Sequence, residues 1–144
     1  MRAQSGTFRT ISWTEAIVLF LLGFGLFVFT RRSELVPTIQ VMIVLAPIFI
    51  LRFSRLLSPW RSIAFTVLGF ILAMNIALWG LFEFTDPLTG LAFNLARSTL
   101  LALLYAIPYV IDRALFQRFG PSLWSLLAFP TAVTAVFFLS SLEG

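Results

Sequence analysis

Five apolar stretches, divided by short arginine-bearing gaps, leave this chain few ways to fold. They read roughly 14–30 ("TEAIVLFLLGFGLFVFT"), 35–51, 62–84, 91–111 and 122–139. Each approaches the roughly 20 helical residues that cross a ~30 Å hydrocarbon core. Inside lipid the backbone must satisfy its own hydrogen bonds, so such stretches form helices. Barrel strands would be about ten residues long and would alternate in polarity, which these do not. The expected fold is therefore an all-α, polytopic transmembrane helix bundle of about five spans, with no soluble domain in its 144 residues. Composition agrees. Only 11% of residues are charged, whereas an average soluble domain carries about 25%.

The gaps carry direction. With five spans, one side holds Arg2, Arg9, Arg52, Arg55, Arg61, Arg113 and Arg118. The other holds Arg31 and Arg32 with the acidic Glu34, Glu83, Asp86 and Glu143. The positive-inside rule then places the N-terminus inside and the C-terminus outside, in a cytoplasmic membrane. Trp13, Trp60, Trp79 and Trp124 fall near the ends of the stretches, as an aromatic belt requires. A cleaved leader is not expected, because the first stretch ends in "FVFTRRSE" with no small-residue cleavage pattern.

All ten cations are Arg, and there is no Cys, His or Lys. That removes thiolate nucleophiles, imidazole bases, Schiff bases, disulfides and the usual zinc sites. No catalytic residue, cofactor or metal is expected. Nucleic acid is not expected as a partner either, since the arginines punctuate apolar runs and form no basic stripe on a polar scaffold. The phospholipid bilayer is the expected partner. A transporter is disfavoured, because the chain lacks internal repeats and nearly lacks intramembrane charge.

Few residues stand out against this background. Arg97 lies within the fourth stretch, where a cation is costly unless it reaches headgroups or a partner. It reads either as a snorkelling cation, paired with Glu83 or Asp86 at its level, or as a contact to a lipid phosphate or an acidic partner. Glu83 and Asp86, in "LFEFTDPLTG", form the close carboxylate pair of the chain and read as an acidic outer loop. Asn75 is expected to bond across helices, and Gly23, Gly25, Gly69 and Gly80 to mark close helix contacts. Pro47, Pro108 and Pro130 fall inside stretches. The connector "DRALFQRFGPS" reads as a short amphipathic turn between two helices. Arg113, Gln117 and Arg118 take one face and Leu115, Phe116 and Phe119 the other. Gly120-Pro121 would end that turn and open the next helix.

Over roughly Leu100 to Gly144, "AIPYVIDRALFQRFG" followed by "LLAFPTAVTAVFFLSSLEG" resembles the membrane region of apolipoprotein N-acyltransferases and their nitrilase-fused relatives. In that family an apolar helix ends near an Asp-Arg pair, a basic connector follows, and the next helix carries Phe-Pro. Asp112-Arg113 and Phe129-Pro130 stand at the matching positions. The resemblance implies a helix bundle in the bacterial inner membrane that carries a nitrilase-like domain outside. Such a domain transfers an acyl chain from phospholipid to a lipoprotein's N-terminal amine through a Glu-Lys-Cys triad. This chain departs from the pattern twice: Phe137 stands where the family often has Glu, and the triad's Lys and Cys are absent. The resemblance therefore implies the membrane moiety of such an enzyme, with catalytic domain and lipoprotein substrate as partners. The rival expectation is a small non-enzymatic scaffold or accessory subunit.

Overall fold

In the computed structural model, residues 13–31, 40–79 and 86–141 are described, and all their regular structure is helical. Five helices follow in chain order: α1 (Trp13–Arg31), α2 (Gln40–Leu56), α3 (Pro59–Ala77), α4 (Pro87–Phe119) and α5 (Leu123–Ser141). Three are long and apolar enough to cross a membrane: α1 over Trp13–Thr30, α3 and α4. In α2 the 17 residues include Arg52 and Arg55, and in α5 the apolar segment Leu127–Val136 is shorter.

Local chemistry sets the breaks, and they differ from the apolar boundaries. Nothing after Leu51 interrupts a helix until Ser58-Pro59, so α2 carries Arg52 and Arg55 on its last turns rather than in a connector. Pro59 opens α3, where its missing N–H costs no helical bond. Asp86 caps α4 by accepting from the Thr89 backbone N–H at 2.9 Å, and Pro87 takes the first position. At the far end α4 does not stop at Asp112-Arg113. It runs 33 residues to Phe119, about 50 Å at 1.5 Å per residue. Gly120 then ends it at φ +62°, a conformation that suits glycine, with its N–H on the Phe116 carbonyl. Pro121 precedes α5 instead of opening it.

The helices alternate in direction. Glu15 at the start of α1 meets Arg52 near the end of α2, and Arg55 meets Asp112 in the last third of α4. Farther along the bundle, the Phe27 and Tyr105 rings meet edge-on. One end of the bundle thus gathers the start of α1, the end of α2, the start of α3 and the end of α4. It is called the arginine end below.

Rings fill the core. Phe70 is fully buried, and the rings of Phe24, Phe27 and Tyr109 each lie 5.1 Å from it. Aromatic pairs in these tilted and edge-on arrangements contribute about 0.5–1.5 kcal/mol beyond area. Small residues let α3 and α4 approach: Ala73 and Ala77 on α3, and Ser98, Ala102 and Ala106 on α4, are all buried at four-residue spacing. Gly69 belongs to the same logic, since a Cβ there would lie 2.5 Å from the Phe24 ring. Gly23 is nearly as tight against Ile50, at 2.8 Å. Gly25 faces open space and is no contact point, and Gly80 lies outside the described residues. Much of the exterior is apolar too, with Leu21, Phe29, Val44, Leu72, Leu100 and Phe138 all exposed. Water is a poor solvent for such a surface, and lipid a good one.

Candidate functional site

Two features break the uniform apolar bundle. The first is a cavity of about 330 Å³ between α1, α2, α4 and α5, with Phe70 of α3 at its floor. Phe27, Ala46, Phe129, Val133 and Val136 give it apolar walls. Thr30, Tyr105 and Tyr109 add three hydroxyl-bearing side chains, of which Thr30 is turned back onto the Phe27 carbonyl at 2.7 Å. Pro47 and Pro108 also line it. A helical proline leaves the carbonyl four residues earlier without its usual donor, so the Leu104 carbonyl loses its partner at Pro108. The volume falls at the lower end for small-molecule sites, about 300–1,000 Å³, and the wall chemistry is theirs too: apolar, with few polar groups.

The second feature is a polar cluster at the arginine end. Asp112 is completely buried, and both its oxygens are taken by Arg55: Nε donates to Oδ2 at 3.1 Å and Nη2 to Oδ1 at 2.7 Å. This fork-on-fork arrangement is the strongest geometry an Arg–carboxylate pair adopts. One face of the Arg55 guanidinium lies 4.6 Å from the Phe116 ring centre. Arg113, next along α4, is 8% exposed and donates from Nη2 to the Leu57 carbonyl at 2.6 Å. That carbonyl belongs to the corner between α2 and α3, where helical donors run out. The Ser62 hydroxyl donates to the Ser54 carbonyl across the same corner. Among the described residues two orphan donors remain in the interior, Arg113 Nε at this end and the Thr66 hydroxyl one turn beyond Ser62. On the rim, Arg52 pairs with Glu15 at 3.1 Å, both substantially exposed, which is worth little in water.

The residues singled out in the sequence scatter. Asp112 and Arg113 are in the polar cluster, not at a helix end. The amphipathic turn expected around them is replaced by continuous helix, with Arg113 turned inward and Phe119 outward. Phe129 reaches the cavity and packs on Tyr109, with ring centres 4.9 Å apart. Pro130 lies inside α5, where its carbonyl accepts from the Thr134 hydroxyl. Arg97 is exposed on α4, about 15 Å from that helix's start. Asp86 is the cap of α4. The Thr89 hydroxyl, and then its backbone N–H, hold the Asp86 carboxyl below its usual range. Glu83 lies outside the described residues. Asn75 donates to the Ile71 carbonyl of its own helix instead of bonding across to another. Among the described residues no group of His, Cys, Asp and Glu could hold a metal ion.

Sequence reasoning missed the partnership of Arg55 with Asp112. A partial signal for it existed: Asp112 falls beside the arginine-bearing gaps assigned to one side of the membrane, the side that also holds Arg52 and Arg55. Compared with protein-family models, curated proteins and solved structures, the chain matches none.

Proposed function

We propose that this chain is a membrane-embedded helical module that holds a lipid acyl chain, serving as the membrane moiety of an acyltransferase of the apolipoprotein N-acyltransferase type. The observation that carries the lipid-holding part is the apolar cavity between α1, α2, α4 and α5 in a bundle whose exterior is itself apolar. A phospholipid entering that cavity from the bilayer would do so by its acyl chain, and the walls are mostly hydrocarbon and aromatic. The acyl-transfer part rests on the resemblance around Asp112-Arg113 and Phe129-Pro130. Of these, Phe129 is a cavity wall. The chain positions and does not catalyse: without Cys, Lys or His, the nucleophile and base come from a separate domain. In this reading five spans cross a bacterial inner membrane with the arginine end inside, and the exposed Trp13 and Trp60 mark its interface.

A photoactivatable phospholipid with its reactive group near the acyl terminus tests the first part. Labelling should map to Phe129, Val133 or Tyr105, and Val133→Trp should suppress it. Labelling spread evenly over the exposed leucines, indifferent to Val133→Trp, would overturn it. The second part is tested by the extent of lipoprotein N-acylation in native membranes with and without the chain. An unchanged extent leaves the alternative, a non-enzymatic scaffold, for which the interlocked α2–α3–α4 corner gives the rigidity.

A further inference from the structure

We infer that the arginine end binds the phosphate of an anionic phospholipid in the adjacent leaflet, with Arg55 as the contact and Arg113 as the source of the unbalanced charge. The inference shares the membrane placement proposed above but is independent of what fills the cavity.

The argument begins with charge. Arg55, Asp112 and Arg113 make one cluster of two cations and a single carboxylate, leaving a surplus positive charge. Asp112 is fully buried and Arg113 more than nine-tenths so, and the protein around them is apolar. A buried charge without a counter-charge is costly, and nature removes the cost by pairing it. Among the described residues the only other carboxylates are Glu15 and Asp86. Glu15 is taken by Arg52, and Asp86 is at the opposite end of α4. Among the described residues no carboxylate is left to balance this charge, and an anion from outside the bundle would supply it. Arg113 Nε, buried and without an acceptor, records the same deficit of negative charge as a missing hydrogen bond.

Geometry then selects Arg55 as the place of contact. Asp112 fixes its Nε and Nη2, and Phe116 covers one face, so the guanidinium is held in a single orientation. Its side chain nonetheless remains 35% exposed, and the third nitrogen, Nη1, is left over with two N–H donors. A fixed guanidinium edge matches a phosphate's oxygens, and little side-chain freedom is lost on binding. Asp112 is about 37 Å along α4 from Pro87, beyond a ~30 Å hydrocarbon core and hence at headgroup level. Arg61 and Arg118, both exposed at this end, add to the field that draws an anion in.

The test uses the full chain in nanodiscs of phosphatidylcholine with or without phosphatidylglycerol, with lipids retained by the released protein identified by native mass spectrometry. Wild type should retain phosphatidylglycerol in preference to phosphatidylcholine. Arg113→Gln, which neutralises the cluster without touching Arg55, should weaken that preference about fivefold, the effect of one cation near an anionic surface. Arg113→Lys should restore it. The double variant Glu15→Gln with Arg52→Gln removes a neutral pair from the same rim and should leave the preference intact. Inorganic phosphate added to phosphatidylcholine discs separates the sources. Failure to protect the protein from unfolding assigns the site to lipid, whereas full protection overturns the lipid assignment in favour of the free anion. Equal retention of both lipids by wild type overturns the proposal without recourse to any variant. So does an unchanged preference in a folded Arg113→Gln.

Discussion

Asp112→Asn is the substitution in which the polar cluster has most to lose. The change is nearly isosteric, so packing is kept and the effect is electrostatic. It removes the carboxylate from two charge-assisted hydrogen bonds, at 2.7 and 3.1 Å, and leaves Arg55 and Arg113 as two like charges with no anion between them. Breaking a fully buried pair by deleting one partner costs about 3–5 kcal/mol. Arg55 is roughly a third exposed and can turn to headgroups or water, so the cost falls below that range, at about 2–3 kcal/mol. The measurement is unfolding of the purified protein in mixed micelles by titration with a denaturing detergent, followed by far-UV circular dichroism. Replacing both partners, Asp112→Leu with Arg55→Met, should return to within about 1 kcal/mol of wild type, because apolar groups of similar volume commonly substitute for a buried pair. If Asp112→Asn unfolds within about 0.5 kcal/mol of wild type, the pair does not join α2 to α4 and the account given of this end is wrong.

Gly69→Ala should destabilise by about 1–3 kcal/mol in the same titration, since the new Cβ would meet the Phe24 ring at 2.5 Å. Gly25→Ala meets nothing within 4 Å and should be neutral or stabilising by up to about 1 kcal/mol. The Asp86 carboxyl is held lower in the folded state than in the unfolded chain, so the folded state binds fewer protons there. Its contribution to the α4 N-terminus is present above the ordinary carboxylate range and is lost as pH falls through the depressed value. Amide exchange at Thr89 and Gly90 should accelerate at that point in wild type, and Asp86→Asn should abolish the pH dependence. A reporter fused after Ser58 should be cytoplasmic and one fused after Asp86 external; the reverse would invert the proposed topology.

The helical class was legible because lipid-length apolar runs have only one way to satisfy their backbone. One break was legible because its chemistry is local: Gly120 ends α4, whereas α3 and α4 open at Pro59 and Pro87, a few residues before the apolar stretches begin. Asp112-Arg113 misled because two charges after an apolar run look like an exit from the membrane. Here Arg55 lies 57 residues away in sequence and supplies the partner that lets the helix continue. No local pattern encodes such a pairing. The cavity was invisible for a related reason: Thr30, Pro47, Tyr105 and Phe129 become its walls only when four helices are placed side by side. Asn75 shows the opposite error, a polar group expected to reach across that finds its acceptor one turn back.

Because α4 passes through Asp112 without a break, this one helix acts as a ruler and a protractor for the bundle. Each residue along it advances 1.5 Å and turns 100°. Adding a single alanine between Ala106 and Asp112 would swing the carboxylate a quarter-turn or more from Arg55 while Tyr105 kept its edge-on contact with Phe27. Adding four would nearly restore the angle but raise the carboxylate by a full turn. The spacing from the cavity to the ion pair is thus set in whole turns of a single helix. A chain with shifted phase would have to give up one feature to keep the other.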